Sequence, residues 1–225
     1  MLRSLKEMFG YKIKAQDGDL GKVYDFFFDD QRWRIRYLIA ETGNWLNRRK
    51  VLISTTAMGT PNWNEWTFPV LLNLEQIRNS PDVDADMPVS RQQELAMNAY
   101  YGWPAYWTTE LLSVARAAAP QNGEVVPAGD PHLRSTREVI DYHVRAVDGE
   151  LGHVDDFIAD DEDWRIPYLV IEITDWLPGK KVLIPADCIE RVTWGSQDIA
   201  VNLDRDVIAG SPETGPSIWV TRIFE

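Results

Sequence analysis

The chain has 225 residues, 44% of them hydrophobic, enough apolar material for two compact cores of about 80 residues each. Its formal net charge of -12 argues against general binding to phosphate backbones, and no stretch approaches the about 20 apolar residues of a membrane span. A single cysteine, Cys188, excludes an intrachain disulfide and a four-cysteine metal site. The first residues hold no apolar run fit for a signal peptide. These features together predict a soluble protein of the reducing cytoplasm.

The first element in chain order is Tyr11-Lys12-Ile13-Lys14, whose alternation of apolar and charged side chains predicts a half-buried strand. Asp17-Gly18-Asp19 is turn chemistry and closes a hairpin. A second strand is expected from Leu20 to Phe28, ending at Asp29-Asp30. A third runs from Trp33 to Glu41, with Trp33, Ile35, Tyr37 and Ile39 on one face as core and Arg32, Arg34 and Arg36 on the other. Lys50-Val51-Leu52-Ile53 and then residues 66–72 supply two more. Asn73 to Asn79 predicts one or two helical turns before Ser80-Pro81 stops them.

From Ser90 a short helix begins, and five aromatics follow within eight residues: Tyr100, Tyr101, Trp103, Tyr106 and Trp107. Such rings gain by burial, so the run is expected to dock on a neighbouring barrel of its own chain or a twin chain. Residues 115–131, rich in Ala, Gly and Pro, read as a flexible linker. The chain then repeats itself without a gap at an offset of 131 residues. Leu2-Arg3-Ser4 meets Leu133-Arg134-Ser135, Trp33-Arg34-Ile35 meets Trp164-Arg165-Ile166, and Lys50-Val51-Leu52-Ile53 meets Lys181-Val182-Leu183-Ile184. The expected divisions are 1–81, a first barrel; 82–131, the aromatic-rich insert and linker; 132–212, a second barrel; and 213–225, a tail. Short strands without a long helix between them argue for antiparallel pairing into a small barrel or sandwich, here a mainly β chain of two small barrels, and the gapless offset requires the same strand order in both.

The copies share a pattern but not a charge. Residues 1–81 carry 12 Lys and Arg against 9 Asp and Glu, whereas residues 132–225 carry 9 against 19. Arg32 has Asp163 as its counterpart, one position that has changed sign. Opposite potentials on equal folds predict a homodimer or a closely packed pair of barrels that weakens with salt, with Arg32, Arg34 and Arg36 near the contact.

The pattern Asp-Gly-x-Leu-Gly-x-Val-x-Asp-Phe, then Asp-Asp-x-x-Trp-x-Ile-x-Tyr-Leu, Trp-Leu and Lys-Val-Leu-Ile, resembles the PRC-barrel family. That family takes its name from the cytoplasmic domain of the photosynthetic reaction-centre H subunit, and a similar barrel forms the C-terminal part of the ribosome maturation factor. The resemblance covers residues 2–81 and 133–212, and the aromatic run resembles the insert of bacterial proteins with two such barrels. It implies six-stranded barrels used as binding modules, with no catalytic residues to carry over. The resemblance is expected to extend to the barrels alone, since no stretch of this sequence matches the reaction-centre subunit's membrane helix or the ribosome factor's partner domain.

Candidate chemistry is sparse. Asp160-Asp161-Glu162-Asp163, near Asp155-Asp156, could serve a hard cation, but no calcium-loop spacing is present and the first copy has Asp29-Asp30-Gln31-Arg32 there. His132, His143 and His153 face Met1, Lys12 and Lys22 in the sister copy and read as surface substitutions. Cys188 faces Ala57 and reads as packing. Arg34 with Glu41, repeated as Arg165 with Glu172, reads as a structural ion pair. The expected function is a non-catalytic binding and assembly module with no cofactor, acting through protein–protein contacts, itself first and then another protein. Its interaction surface is expected at Arg32, Arg34, Arg36, Tyr100, Tyr101, Trp103, Tyr106, Trp107 and Asp163. The alternatives are a metal-dependent enzyme at the acidic turn of the second copy, or an accessory factor of a photosynthetic or ribosomal assembly.

Overall fold

A computed structural model describes residues 1–43, 46–81, 91–103, 133–174, 179–193 and 195–210. The first copy contains β1 (Leu2–Ser4), α1 (Leu5–Met8), β2 (Lys12–Ala15), β3 (Gly18–Asp29), β4 (Arg34–Thr42), β5 (Lys50–Ser54), β6 (Thr67–Pro69) and α2 (Leu74–Arg78). After α3 (Arg91–Tyr101) the second copy repeats the series. It comprises β7 (Leu133–Ser135), α4 (Thr136–Val139), β8 (His143–Ala146), β9 (Gly149–Asp160), β10 (Tyr168–Ile173), β11 (Lys181–Pro185), β12 (Ile189–Thr193), β13 (Asp198–Val201) and α5 (Arg205–Ala209). One sheet runs β5-β4-β3-β2-β6, the other β11-β10-β9-β8-β13-β12. The shared order is the same in both, as the gapless offset requires. The expected antiparallel pairing gives way, however, to parallel pairing between β2 and β6 and between β8 and β13, because the intervening strands return the chain to the far side of the sheet in the same direction.

Local chemistry explains the elements. Asn73 and Gln76 form a reciprocal capping box at the start of α2, satisfying helix-end N–H groups that have no partner within the helix. The hairpin aspartates reach the same helices: Asp17 accepts from the Leu74 N–H at 2.8 Å, and Asp148 from that of Arg205 at 3.0 Å. Gly21 and Gly152 sit where the neighbouring strand crosses so closely that a Cβ would collide with the carbonyls of Glu41 and Glu172.

The stripe expected on β4 divides. On β3, Phe27 faces Tyr37 and Phe28 faces Ile35, so Arg36 is an extra residue that switches the alternation. Trp33 and Ile35 therefore enter the main core together with Leu38 and Ala40, while Tyr37 and Ile39 turn to the opposite face. There they meet Phe27, Leu52, Leu133 and Met97 of α3.

The first strands are exchanged between the copies. β1 pairs with β9 of the second copy, Ser4 opposite Ile158, and β7 pairs with β3 of the first, Ser135 opposite Phe27. Trp33 and Trp164 adopt left-handed backbones at φ 50° and 60°. Each turns its carbonyl across the junction: Ile166 donates to Trp33 at 2.7 Å, and Ile35 to Trp164 at 2.8 Å. Arg34 bridges antiparallel to its own equivalent, Arg165, which is the signature of a local twofold axis. Most of the buried apolar side chains of both copies form one cluster in which Phe28 meets Phe157 at 5.2 Å and Trp164 meets Phe68 at 5.6 Å. Where separate cores were expected, the repeat builds a joint one.

Candidate interaction surface

The short helices that follow the exchanged strands place their first N–H groups on a carboxylate of the other copy. Asp25, 2% exposed, accepts from the Thr136 hydroxyl at 2.7 Å, the Phe26 N–H at 2.7 Å and the Arg137 N–H at 3.1 Å, and also from Ser135. Asp156, 7% exposed, accepts from the Lys6 N–H at 3.0 Å, the Phe157 N–H at 2.7 Å and the Ser4 hydroxyl. Burial pushes both carboxyls up, that of Asp156 to about 6.

Around this pair run ionic contacts between copies. Arg134 pairs with Asp30, and its counterpart Arg3 pairs with Asp161 at 3.4 Å. Arg34 meets Asp163 at 3.1 Å, both side chains close to half exposed. Arg32 and Arg36 instead turn to Asp29 of their own copy, at 3.1 and 2.8 Å. Burial raises the Asp29 carboxyl, but these arginines outweigh it and hold the group below its ordinary value. In the acidic turn, Asp160 and Asp161 take the Met1 amino group at 3.1 and 2.6 Å, so these carboxylates serve the junction. Asp155 lies between Lys6 and Lys181 at 2.9 and 2.8 Å. Its counterpart Tyr24 is instead covered by the cations of Lys50 and Arg137, at 4.0 and 4.9 Å from the ring centre. One fold position has thus been satisfied by two chemistries.

In the aromatic segment, Tyr100 and Tyr101 end α3 and Trp103 follows it. Trp103 stacks on Tyr101 at 4.2 Å, and both pack against the two apolar clusters. Tyr100 is partly exposed and donates to the Gln76 carbonyl at 2.9 Å. Tyr106, Trp107, His132 and the linker lie outside the described residues. Trp103→Ser is expected to lower stability by about 1–2 kcal/mol, less than a fully buried ring because Trp103 is only half-buried. An unchanged denaturant midpoint would refute that role.

A surface not singled out from the sequence lies beside α1. Arg3, Glu7, Phe9, Tyr11, Trp63 and Trp66 line a cleft of about 550 Å³. Arg3 lies 4.2 Å over the Trp63 ring, Tyr11 meets Trp63 edge-on at 6.2 Å, and Trp66 is 67% exposed. Burial raises the Tyr11 hydroxyl above its ordinary value, and nearby Glu7 adds to the effect. The second copy has Ile140 for Phe9 and Gln197 for Trp66. Phe9 and Trp66 are aromatic in this copy only, whereas Tyr11 and Trp63 recur as Tyr142 and Trp194, so the sequence carried part of the signal. The convergence of the four rings was not legible, because more than fifty residues separate Tyr11 from Trp63.

Two barrel-like units of equal topology, exchanging their first strands around a twofold axis, define a tandem small-barrel protein. A family model for the PRC-barrel domain matches residues 3–65 and again 132–208, more than half of the chain. The chain belongs to the PRC-barrel domain family, which is generally non-enzymatic. No curated protein matches it.

Proposed function

We propose that this protein is a non-catalytic binding and assembly module of the cytoplasm that works through protein–protein contacts, with a second copy of itself as the first partner. The observation that carries this reading is the aromatic cleft of the first copy, with Trp66 standing largely in solvent. Large exposed rings beside a concave surface are the usual anchors of protein interfaces. Arg34 and Asp163 are already paired within the chain, and Arg32 and Arg36 with Asp29, so apolar contact rather than charge is the main attraction. Exposed pairs contribute only about 0–1 kcal/mol each, so the association should weaken only modestly with salt.

Sedimentation velocity over a concentration and salt series is the test. A homodimer is expected, and Trp66→Ser should raise its dissociation constant about tenfold or more, the effect of removing an interface anchor. A monomer at every concentration, or a variant that dimerises like the parent, would defeat the proposal.

A further inference from the structure

Residues far apart in the second copy form a single row across its sheet. Asp198 of β13 lies beside His143 of β8, His143 opposite His153 of β9, and His153 opposite Glu172 of β10. Residues directly opposite in a ladder project to the same face. That face is the outer one, because the sequence neighbours Val144 and Val154 are fully buried. The backbone fixes the spacing further. The His143 N–H donates to Gln197 at 3.0 Å, away from β9. The two histidines are therefore a non-hydrogen-bonded pair, the closer kind, with Cα atoms about 4.5 Å apart.

In the first copy the same places hold Thr67, Lys12, Lys22 and Glu41. The second copy has thus replaced two opposed ammonium groups by two imidazoles and Thr67 by Asp198, which with the retained glutamate, Glu172, leaves a carboxylate on either side of them. Lysine ammonium groups have no lone pair to offer a metal, whereas neutral imidazoles on adjacent strands can both turn a nitrogen to one ion. Glu172 is engaged by Lys181 at 3.5 Å and Asp198 by the Ser196 hydroxyl at 2.6 Å. Among the described residues no three His, Cys, Asp or Glu side chains gather to hold a metal. The protein therefore supplies two nitrogens, water completes the coordination shell, and the flanking carboxylates contribute a negative field.

We propose that His143 and His153 form a surface site for a borderline divalent transition ion, Cu²⁺ most tightly, then Ni²⁺ or Zn²⁺, as imidazole ligation and the stability order of these ions dictate. The hard ions Mg²⁺ and Ca²⁺, which want oxygen ligands, should not bind there. The site is open and exchangeable rather than a structural centre.

The untagged intact chain, freed of metal by chelator, is titrated with CuCl₂, NiCl₂, ZnCl₂ and MgCl₂ by calorimetry, with copper binding also followed by electron paramagnetic resonance. One copper ion per chain with nitrogen ligation is expected. His143→Ala and His153→Ala should each weaken binding by about tenfold or more, while His132→Ala leaves it unchanged. Circular dichroism checks that each variant is folded, and these are outward-facing positions. The proposal is overturned if copper does not saturate at one equivalent. It also fails if the His143→Ala/His153→Ala double variant binds like the parent, which would move the ion to the acidic turn. Equal loss in His132→Ala would likewise remove it.

Discussion

Trp164→Ala is expected to destabilise the protein by about 3–5 kcal/mol and to do so in both copies at once. The ring is only 7% exposed, and its neighbours belong to the first copy: Phe26 at 6.3 Å and Phe68 at 5.6 Å. Truncation leaves a cavity in the main cluster that both copies share, next to the exchanged strands, so neither copy retains an intact core. Against a total stability of about 5–15 kcal/mol this is a large fraction. Trp164→Phe keeps a ring in the same space and should cost less. Unfolding followed by far-ultraviolet circular dichroism and by tryptophan fluorescence should give coincident single transitions for parent and variant. Two separated transitions, with only one moved by the substitution, would show that the copies fold as independent units and that the joint core contributes little.

The strands were legible because hairpin residues and alternation are local signals, and the repeat required one order for both copies without saying which. Predicted strands from Leu20 to Phe28 and from Trp33 to Glu41 lie within a residue or two of the observed β3 and β4. The exchange was not legible, for a reason built into repetition. Leu2-Arg3-Ser4 and Leu133-Arg134-Ser135 are the same tripeptide, and the edges of β3 and β9 that receive them are equivalent. Sequence therefore cannot say whether a first strand pairs with its own copy or with the other; the geometry of the junction decides. The bulge at Arg36 was hidden for a related reason, since it depends on which β3 residues stand opposite. Of the surface first singled out, Arg34 and Asp163 lie together at the junction, whereas Arg32 and Arg36 turn to Asp29. The cleft around Trp63 and the His143–His153 row both arise from register between separated segments, where a linear reading has least to offer.

Asp156→Asn is expected to change how stability depends on pH, with a defined sign. Burial is the largest influence on the Asp156 carboxyl and, despite its hydrogen bonds from Ser4, Lys6 and Phe157, leaves it at about 6 against an ordinary 3.8. The folded protein therefore binds this proton more tightly than the unfolded chain does. Between those two values the unfolded state holds fewer protons, so stability falls as pH rises through the interval. The group's contribution is fully present below about pH 4 and is lost by about pH 6–7, a difference of about 2–3 kcal/mol. Asp29 and Asp155 act with the opposite sign but lower down. Their carboxyls are held below the ordinary value, and the stability they contribute is lost only as pH falls through the acid range. Asparagine at position 156 carries no proton to lose and can keep an acceptor toward the Lys6 and Phe157 N–H groups. Whatever its fixed cost, the variant should gain on the parent by about 2–3 kcal/mol between pH 4 and pH 7 in denaturant titrations. Asp25→Asn, at the matching position under Thr136 and Arg137, should move in the same direction, since burial raises that carboxyl too. A difference between variant and parent that stays constant over this range, or that widens against the variant with rising pH, would mean that the buried carboxylates at the exchanged strands bear their charge without penalty.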